Sequence, residues 1–211
     1  MKSMRNAPHI LAACVALLAG CSVLGSKQRD PVTIYAPVIK VAADPDWPVV
    51  SWQLAVAKPT AARVVDSARI GVRPVPGEVQ VYKGVSWSQP STDLVETTVL
   101  RGLEDSGKIR AVARVGSGIR ADYKLVMDLR RFESDYAGNA VPAATIEVTA
   151  KLLHATDQRV VASHTFLQVE PAAGTDVAQV AAAFEQALEK VGSQLVGWVL
   201  TTGEADARST H

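Results

Sequence analysis

Cysteine is scarce in this sequence. The 211 residues include two, Cys14 and Cys21, and both lie near the start of the chain. The region expected to fold lies downstream of them, so it has no thiol and no disulfide, and its stability must come from its hydrophobic core. A domain of this size can bury about 70% of the surface of its unfolded chain, which is sufficient. The shortage also excludes thiolate metal ligands and a cysteine nucleophile.

The sequence also lacks a strong charge of either sign. It has 22 Lys and Arg against 21 Asp and Glu, a net charge of +1. Without the first twenty residues, which hold Lys2 and Arg5 and no acid, 20 basic residues face 21 acidic ones and the net charge is −1. Nucleic-acid binding needs clustered Lys and Arg to neutralise phosphates. No basic stripe is present, so we expect no nucleic-acid partner.

Long apolar runs are missing as well. A helix that crosses a bilayer needs about 20 apolar residues, and the run at 10–20 is shorter. It follows Lys2 and Arg5 and ends in small residues, a pattern typical of a secretory signal peptide. Leu-Ala-Gly-Cys at 18–21 resembles a bacterial lipobox, in which cleavage falls between Gly20 and Cys21 and the cysteine sulfur is lipidated. We predict a lipoprotein signal peptide at 1–20 and lipidation of Cys21; the alternative is an N-terminal helix with a buried cysteine.

The remaining chain divides into a leader and one regular region. Residues 21–48 are rich in proline and are predicted to be a tether with a short strand near 32–36. Alternating apolar residues then predict strands at 51–57, 68–73, 79–88, 109–115, 121–130, 144–152 and 159–169. The short connection at 155–158 predicts that the last two strands pair antiparallel.

Two segments have helical periodicity. In the first, Asp93 is the predicted N-cap with Glu96 three residues later, and Gly107 is the predicted end. The second begins near Asp176 and has apolar residues at three- and four-residue steps. We predict a single α+β domain at 49–200, a mostly antiparallel sheet packed by two helices of which the longer is C-terminal, and a flexible tail at 201–211.

No arrangement of residues in the sequence indicates catalysis. The four histidines (His9, His154, His164 and His211) have no second ligand at zinc-type spacing. Gly-Ser-Gly at 116–118 lacks the outer residues of a nucleophile elbow and the lysine of a phosphate loop. We expect no enzymatic activity, no metal and no cofactor.

Aromatic residues are few, at 5% of the chain, and several lie in the first half of the mature region: Trp47, Trp52, Tyr82 and Trp87. Either they anchor the core and loops, or they form a contact patch, since Trp and Tyr are enriched where partners bind. The sequence leaves both readings open. Tyr82 and Trp87 are the candidate partner-binding residues.

Several short motifs follow the lipobox in a fixed order: Ile-Tyr-Ala-Pro at 34–37, Arg-Ile-Gly-Val-Arg-Pro at 69–74, Val-Tyr-Lys-Gly-Val-Ser-Trp-Ser-Gln-Pro at 81–90, Leu-Glu-Asp-Ser-Gly at 103–107 and Ala-Asp-Tyr-Lys-Leu at 121–125. In this order they resemble the ABC-type transport auxiliary lipoprotein family. Members of that family accompany MCE-domain and Pqi-type lipid transport systems.

The resemblance implies a non-catalytic lipoprotein whose domain faces the periplasm and docks an MCE-domain protein to the outer membrane. It also implies a homo-oligomer. Ser22 stands where an Asp would favour retention at the inner membrane, which supports the outer membrane. An alternative function is direct binding of a lipid, in a cavity between the long helix and the strand face of Leu125, Met127 and Leu129.

Overall fold

The computed structural model describes residues 31–209. The chain divides into the units Met1–Pro31 and Val32–His211, and the fold below is that of the second unit. The predicted signal peptide, its cleavage site after Gly20 and the lipidation site Cys21 lie outside the described residues. Among the residues described, neither helix is long and apolar enough to span a membrane.

Ten strands and two helices occur between residues 31 and 209. The strands are β1 (Thr33–Tyr35), β2 (Val50–Val56), β3 (Thr60–Ala61), β4 (Gly71–Arg73), β5 (Gln80–Val81), β6 (Val85–Trp87), β7 (Ile109–Arg114), β8 (Tyr123–Asp135), β9 (Ala143–His154) and β10 (Val160–Pro171). The helices are α1 (Ser91–Ser106) and α2 (Val177–Ser209).

The main sheet has the strand order β10-β9-β8-β2-β7, and β3 and β4 add to β8. The three longest strands form an antiparallel meander, in which Leu125 lies opposite Leu152 and Thr149 opposite Thr165. The predicted antiparallel pairing of the last two strands is confirmed. A separate two-stranded sheet joins β1 to β6.

The sheet is mixed, so the predicted mostly antiparallel sheet is wrong. β2 runs parallel to both β7 and β8, with Leu54 opposite Val112 on one side and Tyr123 on the other. β3 and β4 are also parallel to β8, and β1 is parallel to β6. The chain passes through α1 between β2 and β7, and a crossover of this kind returns the strand in the same direction. The short connection between β9 and β10, on which the antiparallel prediction rested, carries no information about these parallel pairings.

The helices cover one face of this sheet. α2 packs on β9 and β10, and α1 packs on β7 and α2. The apolar residues of α1 at helical spacing, Val95, Val99, Leu100 and Leu103, lie in the core, and so do Val180, Phe184, Leu188, Val191 and Leu195 of α2. These side chains belong to one continuous hydrophobic cluster with the inward residues of β2, β8 and β9.

The ends of both helices differ in part from their prediction. α1 begins at Ser91 with Pro90 as its N-cap, so Asp93 is not the cap. The hydroxyls of Ser91 and Thr92 donate hydrogen bonds to the carbonyl of Val65 and the carboxylate of Asp66 in an earlier loop. These bonds fix the first turn of the helix at Ser91. The predicted end at Gly107 is confirmed, with a left-handed φ of 62°.

The C-terminal tail predicted from 201 is helical in its described part, because α2 continues to Ser209. Gly203 is buried within this last stretch, where it faces Trp52 of β2. The polar composition of residues 201–209 indicated a tail, but contacts with distant strands keep these residues in the helix.

The second half of the predicted tether packs on the domain. Thr33–Tyr35 forms the predicted short strand, and Tyr35, Ile39, Val41 and Trp47 pack against the core. Val41 lies in a space left by two glycines. A Cβ added at Gly102 would lie 3.1 Å from Cβ of Val41, and a Cβ added at Gly192 would lie 2.9 Å from Cγ2 of Val41. A Cβ at Gly197 would lie 2.6 Å from Nε1 of Trp47.

We predict that Gly192→Ala destabilises the domain. In an unobstructed helix this change stabilises by about 0.5–1 kcal/mol, but here the new Cβ would lie 2.6 Å from Cγ2 of Thr98 as well as against Val41. Overpacking of this kind costs about 1–3 kcal/mol. Urea unfolding measures the free energy of unfolding, with Gln194→Ala at an exposed position of the same helix as the control. A Gly192→Ala protein at least as stable as the wild type would contradict the packing.

Candidate interaction surface

Trp87 lies in the centre of the core and not at a contact surface. It is 2% exposed, and its ring centroid lies 5.1 Å from that of Phe184 and 6.0 Å from that of Phe132. Tyr35 of β1, opposite Trp87 in the pairing of β1 with β6, contacts the ring edge to face at 6.4 Å between centroids. The structure therefore leaves little of Trp87 exposed for the partner contact predicted for it, because β1 and α2 close over the ring.

Tyr82 is half-buried next to the same core. Its Oη lies 3.2 Å from Oγ of Ser134 on β8, and burial raises the pKa of its phenol. The structure therefore does not bring Tyr82 and Trp87 together as an exposed aromatic patch. Of the two interpretations that the sequence left open, core anchoring is confirmed for Trp87.

A buried carboxylate joins β4 to β8. Glu133 is 4% exposed, and its two oxygens accept hydrogen bonds of 2.8 and 2.9 Å from the guanidinium of Arg73. Nε of Arg131 donates a further one of 2.8 Å, and Arg131 also binds Asp135. Because the buried charge is fully paired, this cluster fixes the two strands rather than offering a free binding group.

A second polar cluster holds the end of α2 to the sheet. Oη of Tyr123 donates a 3.0 Å hydrogen bond to Asp206, and Arg159 donates another of 3.0 Å to the same carboxylate. Burial raises the pKa of Tyr123 above its ordinary value, and the hydrogen bond to Asp206 raises it further. His154 pairs with Asp157 at 3.1 Å in the neighbouring turn.

The described residues offer no metal centre: between 31 and 209 no three His, Cys, Asp or Glu residues are grouped to hold an ion. The strand face that would line a lipid cavity in the alternative function also lies in the packed core. Leu125, Met127 and Leu129 are 0, 4 and 1% exposed and belong to the continuous hydrophobic cluster.

The outer edge of β10 is the most open apolar feature of the sheet. In the described part of the chain β10 has one neighbouring strand, β9, so its other edge has unpaired backbone groups. Leu167 and Val169 are 56 and 49% exposed, on the face opposite the buried Phe166. Within β10, the residues with which proteins usually protect such an edge (Asp, Glu, Lys, Arg and Pro) are confined to its last two positions, Glu170 and Pro171, and none occurs at 160–169. This edge could not be predicted from the sequence, because the alternation of apolar residues does not reveal strand order.

Comparison with known sequences decides the family. The model of the ABC-type transport auxiliary lipoprotein component matches residues 33–196, which span β1 to most of α2. The chain belongs to this family. The auxiliary lipoprotein domain therefore includes the segment around β1, which was predicted to be part of a tether.

Solved structures agree with the fold of this auxiliary lipoprotein. The crystal structure of protein XCC0632 from Xanthomonas campestris is 62% identical and covers 83% of this chain and 99% of its own, with a TM-score of 0.80. A second crystal structure, 11% identical with a TM-score of 0.61, covers 79% of this chain and 97% of its own and shares the fold.

One curated relative is longer than this lipoprotein. Protein bll6063 of Bradyrhizobium diazoefficiens is 27% identical over 150 residues, which cover 71% of this chain and 40% of the relative. The chain thus spans less than half of that relative's length.

We predict that Trp87→Ala lowers the free energy of unfolding by about 3–5 kcal/mol, because it removes a large buried ring and leaves a cavity. Tyr82→Phe is the matched control: it keeps a half-buried ring, loses one hydroxyl contact and costs about 1 kcal/mol. Urea unfolding of both variants checks the difference. Nearly equal stability of Trp87→Ala and the wild type would show that the ring is not in the core.

We predict that stability falls at alkaline pH in part through Tyr123. Its pKa in the folded protein is above the ordinary value of about 10. The neutral phenol thus stabilises the native state below about pH 10, and this contribution is lost as the pH rises through the folded pKa. Free energies of unfolding at about pH 8 and pH 11 should decline less in Tyr123→Phe than in the wild type. Tyr82, whose pKa burial also raises, is present in both proteins and cancels. Equal declines would be inconsistent with this role.

Proposed function

We propose that this protein is a Cys21-acylated lipoprotein of the outer membrane whose domain faces the periplasm and docks an MCE-domain protein of an ABC-type lipid transporter. The family match over residues 33–196 carries this proposal, together with the lipobox-like Leu-Ala-Gly-Cys at 18–21. The proposed role is one of position and involves no catalysis by the lipoprotein itself.

Anchoring follows from acyl chains on Cys21. Each buried methylene contributes about 0.8 kcal/mol, and more than one chain makes membrane attachment stable. Ser22, in place of an aspartate after the lipidated cysteine, supports sorting to the outer membrane.

We assign the contact with the MCE-domain protein to the outer edge of β10. An extended segment of a partner adds to such an edge through main-chain hydrogen bonds, while alternate side chains provide apolar contacts. Leu167 and Val169 supply those contacts, and the absence of charged residues and proline from 160–169 leaves the edge open to a partner. Trp87, which lies in the core, has no part in the contact.

The test is recovery of an MCE-domain protein, identified by mass spectrometry, with the detergent-solubilised lipoprotein from its own cells. We expect recovery with the wild type and about a tenfold loss with Leu167→Asp, because an aspartate would place an unpaired charge in an apolar contact. Val115→Asp is the matched control: Val115 is 51% exposed and follows β7, the opposite edge of the sheet.

Each other result has a distinct meaning. Equal recovery with Leu167→Asp and the wild type would remove β10 from the interface. Loss of self-association without loss of the MCE-domain protein would assign β10 to contacts between copies. Stoichiometric lipid without any MCE-domain protein would contradict the docking role and favour direct lipid binding.

A further inference from the structure

The first seven residues of the folded unit present an apolar row to the outside. Val32, Ile34 and Val38 are 56, 64 and 78% exposed. From residue 34 to 41 exposure alternates strictly: Ile34, Ala36, Val38 and Lys40 are exposed, while Tyr35, Pro37, Ile39 and Val41 are partly buried. We call Val32, Ile34 and Val38 the outward row.

This row is unusual for a strand on a protein surface. A segment with one face on the core ordinarily has polar residues on the other face. Here the inward face packs on the core through Tyr35, Ile39 and Val41, so the apolar residues outside are surplus to folding. Contiguous exposed apolar residues mark sites of contact with another protein or with a membrane.

The position of the row relative to Cys21 indicates the occupant. Ten residues, 22–31, separate Cys21 from Val32. Fully extended, a chain of that length spans at most about 40 Å. The segment after Val32 cannot lengthen this connection, because β1 is paired with β6 and Val41 and Trp47 are packed against glycines of the helices. The outward row is thus the exposed apolar surface nearest in sequence to the anchor.

The charges around the row fit the same occupant. Residues 31–43 contain one lysine, Lys40, and no acid, and the charged residues just before them are Lys27, Arg29 and Asp30. The amide of Thr33 donates to the carbonyl of Gly84, which brings the exposed Lys83 beside the start of the row. Lysines that flank apolar residues are attracted to anionic headgroups.

We propose that the outward row lies against the surface of the bilayer that holds Cys21, so that Val32, Ile34 and Val38 contact lipid while β10 is left for the partner. This inference rests on the proposed acylation of Cys21. A short linker keeps the row at a high local concentration of lipid, so a weak apolar contact suffices to orient the domain.

The test places a fluorescent label at single cysteines. Once the signal peptide is removed and Cys21 is acylated, an introduced cysteine is the sole free thiol. Ile34→Cys and Val38→Cys report on the row, and Leu167→Cys, exposed to a similar degree on β10, is the matched control. The full-length acylated proteins are reconstituted into vesicles of phosphatidylethanolamine and phosphatidylglycerol that contain a nitroxide-labelled lipid.

We expect loss of most of the fluorescence at positions 34 and 38 and little loss at 167. Equal quenching at all three positions, in protein that floats with the vesicles, overturns the inference and leaves the anchoring intact. If the labels at positions 34 and 38 are instead shielded from quenching, and this shielding depends on protein concentration and not on lipid, the inference is overturned in favour of contacts between copies. The mass of the N-terminal peptide distinguishes failure of the proposed acylation from failure of the proposed lipid contact. A chain without acyl groups contradicts both the anchoring and this inference.

Discussion

The close approach of α2 to its neighbours is the constraint on which the rest of the structure depends. Glycine occupies three of the contact points on this helix, and at each a Cβ would meet another side chain at 2.6 Å or less: Thr98 at Gly192, Trp47 at Gly197 and Trp52 at Gly203. Glycine normally weakens a helix by about 0.5–1 kcal/mol relative to alanine. Here its small size allows two tryptophans and the neighbouring helix to pack directly on the backbone of α2.

These contacts determine where residues 32–47 pack on the domain. Val41 lies between Gly102 of α1 and Gly192 of α2, and therefore ties the leader to both helices at once. β1 completes the attachment by pairing with β6 and covering Trp87. The apolar ring expected to bind a partner is consequently needed for the core, and the second half of the predicted tether at 21–48 is part of the folded domain.

Local patterns in the sequence predicted the elements, while the pairings depended on residues far apart in the chain. Alternation identified β2, β8, β9 and β10, and periodicity identified both helices, because one face of each element is buried. The parallel neighbours of β2 come from segments that follow it by more than fifty residues, and no local signal specifies them. The burial of Trp47 likewise depends on Gly197, about 150 residues later. The open edge of β10 could be recognised only once strand order was known.

In the proposed function, attachment and recognition use different elements of the fold. The outward row and the residues that precede it lie at one end of the sequence, and the edge of β10 belongs to the antiparallel meander that α2 covers on its inner face. Between them, the core is continuous from the packed leader through α2 to β9 and β10. A domain packed in this way behaves as a rigid spacer, since close-packed interiors transmit position with little deformation. The proposed positional role needs this property, because the membrane would then set the place of the outward row and the fold would carry that place to the edge of β10.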